Sequence, residues 1–289
     1  MMKKKNVFHA IILASTMALF SGCALGEALA DITGLGEIVE STKNVVNAVS
    51  KLAEDITTED SYYIGRTVAA NILTHYKVYN DKELTLYLNK ICQALVINSS
   101  DPYLYNGYHV IILDSSKEVN AYSTPGGHIL VTTGLINCAE TEDALAAVIA
   151  HEIGHIQLKH SLNSIKASRF KDTMDALDKA LFSDDEMEDV SDDILSSMMD
   201  SGFSQGQEYD ADEAAIKLMV AAGYQPSAMI SMLEKMKTFE KSSSGSGFFK
   251  THPSPSNRIY NIKSSVRKAE KDFDDTTEYR EDRYDDIMY

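Results

Sequence analysis

The hydrophobic and polar positions of this chain predict helix more often than strand. Spaced apolar residues Ile38, Val39, Val45, Val46, Val49 and Leu52 predict an amphipathic helix or tether within 23–59. From about residue 60 to 98 the pattern is helical, with Leu84, Leu86, Leu88, Ile91 and Leu95 among its apolar positions. Tyr108 to Leu113 is short, apolar and rich in β-branched residues, and predicts a strand. Pro125-Gly126-Gly127 marks a turn, and His128 to Thr133 reads as a second strand.

Thr141 to His160 carries the clearest helix signal. Thr141 can cap it, and Glu142 and Asp143 suit its positive N-terminal end. Ala144, Leu145, Ala147, Val148, Ile149, Ala150, Ile153 and Ile156 make this helix apolar on most sides, so it should be buried. Residues 165–203 alternate Met with Asp and read as an insertion or helical hairpin, which could gate a cleft. Gln207 to Ala222 returns to helix and stops at Gly223, with Pro226 beyond it. Another helix follows from Pro226 to Phe239, then a flexible Ser/Gly loop over 242–247. The acidic, Tyr-rich tail at 266–289 is expected to be disordered. No internal repeat is visible, which argues against an appended helical-repeat domain.

Charge and the N-terminus then narrow the setting. The formal net charge is -16, a field that repels nucleic acid and suits solubility. Lys3, Lys4 and Lys5 precede an apolar run from Val7 to Phe20 that is short for a membrane span. Phe20-Ser21-Gly22-Cys23 resembles a bacterial lipobox, with Phe where Leu is usual. A signal peptide over 1–22, lipidation at Cys23 and a mature charge of -19 are the expectation, since cleavage removes three lysines. A plain secretory signal is the competing reading. Ala24 in place of Asp implies the outer membrane, facing the periplasm. Cys92 and Cys138 could pair in an oxidising compartment or stay as buried thiols. No CxxC is present, so cysteine-ligated zinc is not expected.

The chemistry is concentrated in His151-Glu152-Ile153-Gly154-His155. Histidines four apart project from one helix face and can hold one metal ion, with Glu152 placed to take a proton from an attacking water. Two incidental histidines on a solvated face are the bland alternative. The apolar surroundings oppose it, because unpaired polar groups cost several kcal/mol to bury. A catalytic zinc takes three protein ligands and keeps one position open. Leu158 and Ser161 stand where a three-histidine class would need Gly and His, so that class is excluded. Glu208 and Asp212, four apart on a later helix, suit a third ligand and a carboxylate hydrogen-bonded to a ligating histidine. On spacing alone they could equally be two solvated acids.

Five ordered blocks now carry a resemblance over roughly residues 60–262. They are Asn120-Ala121-Tyr122-Ser123-Thr124-Pro125-Gly126-Gly127-His128-Ile129, Ala150 to His155, Glu208-Tyr209-Asp210-Ala211-Asp212, Gly223-Tyr224-Gln225-Pro226, and Thr251-His252-Pro253-Ser254-Pro255-Ser256-Asn257-Arg258-Ile259. Together they resemble the gluzincin metallopeptidase family of the CAAX prenyl proteases and HtpX, in its soluble bacterial periplasmic lipoprotein branch. The resemblance implies an α+β, mostly helical zincin-like domain over 60–265, with a small sheet whose edge strand flanks the zinc helix. It implies one zinc ion on His151, His155 and Glu208, Asp212 behind a histidine, and Glu152 as general base. It offers His252 and Arg258 as catalytic oxyanion donors, with His252 alternatively a zinc ligand at rest or a plain loop residue.

Asn120, Ala121, Gly127, His128 and Ile129 are the expected substrate-binding residues, with the strand at His128 to Thr133 offering its edge to an extended peptide. Gln205 and Asp210 depart from the common Arg and Glu of relatives, which points to tuning, since neither is a ligand. The implied activity is cleavage of unfolded or misassembled envelope proteins. Two other readings remain open. One is a periplasmic chaperone or assembly lipoprotein with a structural or silenced zinc site, and the other an adhesion lipoprotein relying on tether and tail.

Overall fold

The computed structural model describes residues 57–163, 202–242, 251–252, 255–271, 273 and 278–289, which belong to one compact unit. The lipobox Cys23, nearly all of the tether, the 165–203 insertion apart from its last two residues, and the loop after 242 lie outside the described residues.

The long helical stretch after residue 57 is two helices, α1 (Thr58–His75) and α2 (Lys82–Ile97). A capping box of Thr57 with Asp60 starts α1, and Asp81 caps α2. Between them the chain runs extended, and Val78 forms a bridge to Leu113. Three strands follow, β1 (His109–Leu113), β2 (Ala121–Thr124) and β3 (His128–Thr132). Their order is β1-β3-β2, with β1 parallel and β2 antiparallel to β3.

This order corrects one expectation. The strand beginning at His128 is the centre of the sheet, and every residue of it is buried. The edge that faces α4 (Glu142–Gln157) belongs to β2, which composition did not mark as a strand. A four-residue strand of Ala, Tyr, Ser and Thr gives too short a period-2 signal to be separated from the turn it enters.

After the short helix α3 (Thr133–Cys138), α4 lies on the sheet between α2, α5 (Gln205–Ala221) and α6 (Ala228–Ser242). Fifteen of its sixteen residues, Glu142 to Ile156, are buried, as an all-round apolar helix should be. Gly154 permits the closest crossing: a Cβ there would sit 2.9 Å from the Ala211 carbonyl oxygen of α5. Helix α7 (Pro255–Glu270) then packs on α5 and α6. Cys92 and Cys138 are free, and burial pushes their thiols up to about 12 and about 11.

The tail is a second correction. Glu278–Met288 forms α8, which packs on α2 and α4. Its Arg280 donates through Nε to Asp143 Oδ2 at 3.0 Å and through Nη1 to the Gly223 carbonyl at 2.9 Å. Arg283 pairs with Glu142, and Tyr284 donates to the Ala139 carbonyl at 2.6 Å. The acidic composition hid this, because order here comes from three side chains reaching buried acceptors and from Tyr284, Ile287 and Met288 packing on the core. Among the described residues no helix is long and apolar enough to cross a membrane.

Arg280→Ala should lower stability by about 3 kcal/mol, since it removes the counter-charge of the buried Asp143 carboxylate and leaves it the Gln225 N–H at 2.6 Å. Urea unfolding measures this; a change under about 0.5 kcal/mol, the range of ordinary surface substitutions, would show that α8 docks without that pair.

Candidate metal centre

Three helices and one short segment build the site. Helix α4 contributes His151, Glu152 and His155, all essentially inaccessible to solvent. Helix α5, opened by a capping box between Ser204 and Gln207, contributes Glu208 in its first turn and Asp212 one turn on. Helix α7 brings Arg258, and residues 251–252 bring His252. That segment is tied down by Thr251, whose carbonyl accepts from the Phe203 N–H at 2.9 Å and whose hydroxyl reaches Asn120 Oδ1 at 3.4 Å.

Donor atoms from His151, His155, Glu208 and His252 lie within 4.8 Å of one another. His151 Nε2 is 3.0 Å from His155 Nε2 and 3.5 Å from Glu208 Oε2. His155 Nε2 is 3.3 Å from Glu208 Oε1. His252 Nδ1 is 3.0 Å from that same oxygen and 3.4 Å from His151 Nε2. Donors held about 2.0–2.2 Å from a tetrahedral zinc are about 3.3–3.6 Å apart, and the separations of 3.0–3.5 Å here lie close to that. The chemistry of the set fits too, being three imidazoles and one carboxylate.

The surrounding charges are compensated in a chain. Arg258 forks onto Asp212, Nε to Oδ2 at 2.8 Å and Nη2 to Oδ1 at 2.6 Å. Its Nη1 also lies 2.9 Å from Glu208 Oε2, an ion pair set at an angle outside hydrogen-bond range. Asp212 Oδ1 in turn lies 2.9 Å from His151 Nδ1. Burial works against the Asp212 and Glu208 carboxylates. Arg258 outweighs it at Asp212, and His252 with Arg258 at Glu208, so both are held below the usual carboxylate range. For His151, burial and Arg258 disfavour the cation. Hydrogen bonds to Asp212 and Glu208 overcome them and lift it to about 9. His155 moves the other way, because burial dominates.

Glu152 is fully buried, and neither carboxylate oxygen has a hydrogen-bond partner among the described residues. His252 Nε2 is 3.6 Å from Oε1. A buried carboxylate with neither oxygen hydrogen-bonded stands out beside Asp212, whose two oxygens are both paired.

The structure thus gathers His151, Glu152, His155, Glu208, Asp212, His252 and Arg258 into one cluster. Arg258 differs from expectation, however. Its guanidinium is committed to two carboxylates, which makes it a brace for the ligand set and not a free oxyanion donor. Of the expected substrate residues, Asn120 is buried at the start of β2, where its Oδ1 accepts from the Ala121 N–H. Ala121 opens the edge strand. Gly127, His128 and Ile129 do not reach an edge: a Cβ on Gly127 would strike the Gly107 carbonyl, His128 stacks on Tyr62, and Ile129 is in the core.

Two further groups meet the ligands without having been marked in the sequence. Phe203 stacks on the His155 ring at 3.8 Å between centroids, and His160 Nδ1 lies 2.9 Å from His155 Nδ1. A histidine five positions after the last motif residue was the only available signal for the second.

Comparison with known proteins agrees with this geometry. The model of peptidase family M48 matches residues 82–266. Over 191 residues the chain is 29% identical to the mitochondrial metalloendopeptidase OMA1 of Schizosaccharomyces pombe, covering 64% of this chain and 54% of that protein. It is 24% identical over 198 residues to the beta-barrel assembly-enhancing protease of Escherichia coli, covering 65% and 40% respectively. It is 30% identical over 148 residues to the Arabidopsis thaliana OMA1, covering 51% and 30%. The chain spans about half the length of the curated relatives it matches, or less.

Ligating imidazoles must be neutral, so a metal entering the site has to displace the proton that His151 holds below about pH 9. Affinity for zinc should therefore rise with pH up to about 9. Calorimetric titration at pH 7 in buffers of different ionisation heat should show proton release, and its absence would mean that His151 is already neutral there.

Proposed function

The chain belongs to peptidase family M48, and from that premise we propose a zinc-dependent metalloendopeptidase acting on unfolded or misassembled proteins of a bacterial cell envelope. The observation that carries the catalytic part is the buried Glu152 carboxylate, free of hydrogen bonds, beside the four-donor group. A structural metal site has no use for such a base. We assign the ligand roles to His151, His155 and Glu208. Bound there, zinc would polarise the scissile carbonyl and activate the attacking water.

The remaining chemistry falls to the chain itself. Glu152 takes a proton as the water attacks and returns it to the leaving amine. Asp212 orients His151, and Arg258 holds Asp212 and Glu208 in place. An extended substrate would lie along β2, the strand at the sheet edge beside α4. Backbone pairing of that kind tolerates many sequences and favours chains that are not folded. The envelope setting is supported by the lipobox-like Cys23 and the preceding apolar run. It is supported too by likeness to a protease named for enhancing β-barrel assembly. A lipid anchor at the outer membrane, facing the periplasm, is the arrangement we propose.

One observation favours a second reading. His252 completes a set of four protein donors, which is the closed arrangement of structural zinc sites. It also suits a resting state in which His252 holds the position that substrate and water need. Removal of His252 separates the two. In a resting enzyme His252→Ala should keep zinc and cleave casein at least as fast as the parent protein. In a structural or silenced site it should lose zinc and cleave nothing.

Glu152→Gln should still bind zinc while casein cleavage falls by about 10²–10⁴-fold, the usual contribution of a positioned base. Retained cleavage in the metal-loaded variant would exclude this mechanism. For the cellular role, the same variant should let misassembled envelope proteins accumulate, and full complementation by it would favour the chaperone reading.

A further inference from the structure

One buried imidazole behind the metal group occupies a position that helical spacing does not explain. His160 is 5% exposed, and its Nδ1 lies 2.9 Å from Nδ1 of His155. In an unbroken helix, residues five apart are turned about 140° from each other and cannot meet so closely. The chain breaks instead. Helix α4 closes at Gln157, and Leu158 caps it with an N–H directed to the Gly154 carbonyl. Lys159 then adopts φ 57°, the sole non-glycine residue with positive φ among the described residues. This left-handed conformation is disfavoured for any residue bearing a Cβ. Residues 160–163 turn helical again, and Asn163 donates to the Lys159 carbonyl at 2.9 Å. The single left-handed residue swings the chain back so that His160 lies behind His155. Disfavoured backbone held in place beside a reactive centre is a recurrent sign of a positioned group.

The chemistry of the contact depends on which nitrogen faces inward. His155 presents Nε2 to His151 and Glu208, at 3.0 and 3.3 Å. Only an unprotonated nitrogen can ligate, so the neutral ring carries its proton on Nδ1. The His160 Nδ1 beside it must then accept, which places the proton of His160 on its own Nε2. The ring of His155 is thereby fixed twice, on its face by Phe203 and at its rear nitrogen by His160. His151 is served differently, by the Asp212 carboxylate at 2.9 Å.

We propose that His160 is a positioning residue of the metal centre: the acceptor that sets the tautomer and ring orientation of His155, delivered to it by the left-handed turn at Lys159. The proposal rests on the reading of this cluster as a metal site. It extends that reading to a residue outside the ligand set, with a role separable from catalysis.

The experiment compares His160→Asn with His160→Leu in the full chain. Asn offers an oxygen near the place of Nδ1, whereas Leu has similar bulk and no acceptor. Zinc affinity is read by competition with a chromogenic chelator, and ligand geometry by the visible spectrum of the cobalt(II)-substituted protein. His160→Leu should bind zinc about 10–100-fold more weakly with an altered cobalt spectrum, while His160→Asn stays within about threefold of the parent.

A Leu variant equal to the parent, or equal losses in both variants, would overturn the proposal, the second outcome assigning the effect to packing. Should the Leu variant fail to fold, nitrogen-15 spectra of the zinc-loaded parent protein decide the matter. A proton on Nδ1 of His155 and on Nε2 of His160 is expected, and a proton on Nδ1 of His160 would overturn the role. A parent protein that binds no zinc would remove the metal reading itself, an outcome distinct from either.

Discussion

The forked ion pair between Arg258 and Asp212 is the interaction that lets so many ionisable groups share one dry site. Three carboxylates, those of Glu152, Glu208 and Asp212, are buried there with four histidines and one guanidinium. Each charge taken from water costs several kcal/mol unless paired and hydrogen-bonded. Arg258 is fully buried and serves two of the three acids. It also joins three helices, since Asp212 on α5 orients His151 on α4 while Arg258 belongs to α7. The compensation is left incomplete at Glu152, the base of the proposed mechanism.

The rest of the fold works to hold α4 still. Its C-terminal half crosses α5 at Gly154, where any side chain would strike the Ala211 carbonyl. This closeness brings Glu208 within 3.3–3.5 Å of the two histidines of α4. Its N-terminal end is gripped by α8, where Arg280 and Arg283 meet Asp143 and Glu142. Those two acids suit the helix dipole as free charges. Buried, they need counter-charges, and they obtain them from a segment whose composition suggests disorder. Metal-ligand geometry tolerates little displacement, so a centre placed on a helix anchored at both ends is better defined than one on loops.

The sheet limits where the proposed substrate could lie. Because β3 is covered by β1 on one side and β2 on the other, the sheet edge beside α4 is that of β2, along which the proposed substrate would lie. Asn120 joins that edge to the His252 segment through Thr251, so the strand and the fourth donor are mechanically connected.

The candidate donors and the helices that bear them were legible in the local sequence pattern. His-Glu-x-x-His on an all-round apolar segment specifies two imidazoles and a carboxylate on a buried helix. The four-residue spacing of Glu208 and Asp212 specifies one helix face, and both facts are local. The free state of Cys92 and Cys138, the central place of β3, the bracing role of Arg258, the docking of α8 and the reach of His160 to His155 were decided only by tertiary structure. In each case the cause is a partner far along the chain or a single backbone angle. Periodicity reports which face of an element is apolar; it does not report which strand lies in the middle, where a guanidinium ends, or that one lysine turns left-handed.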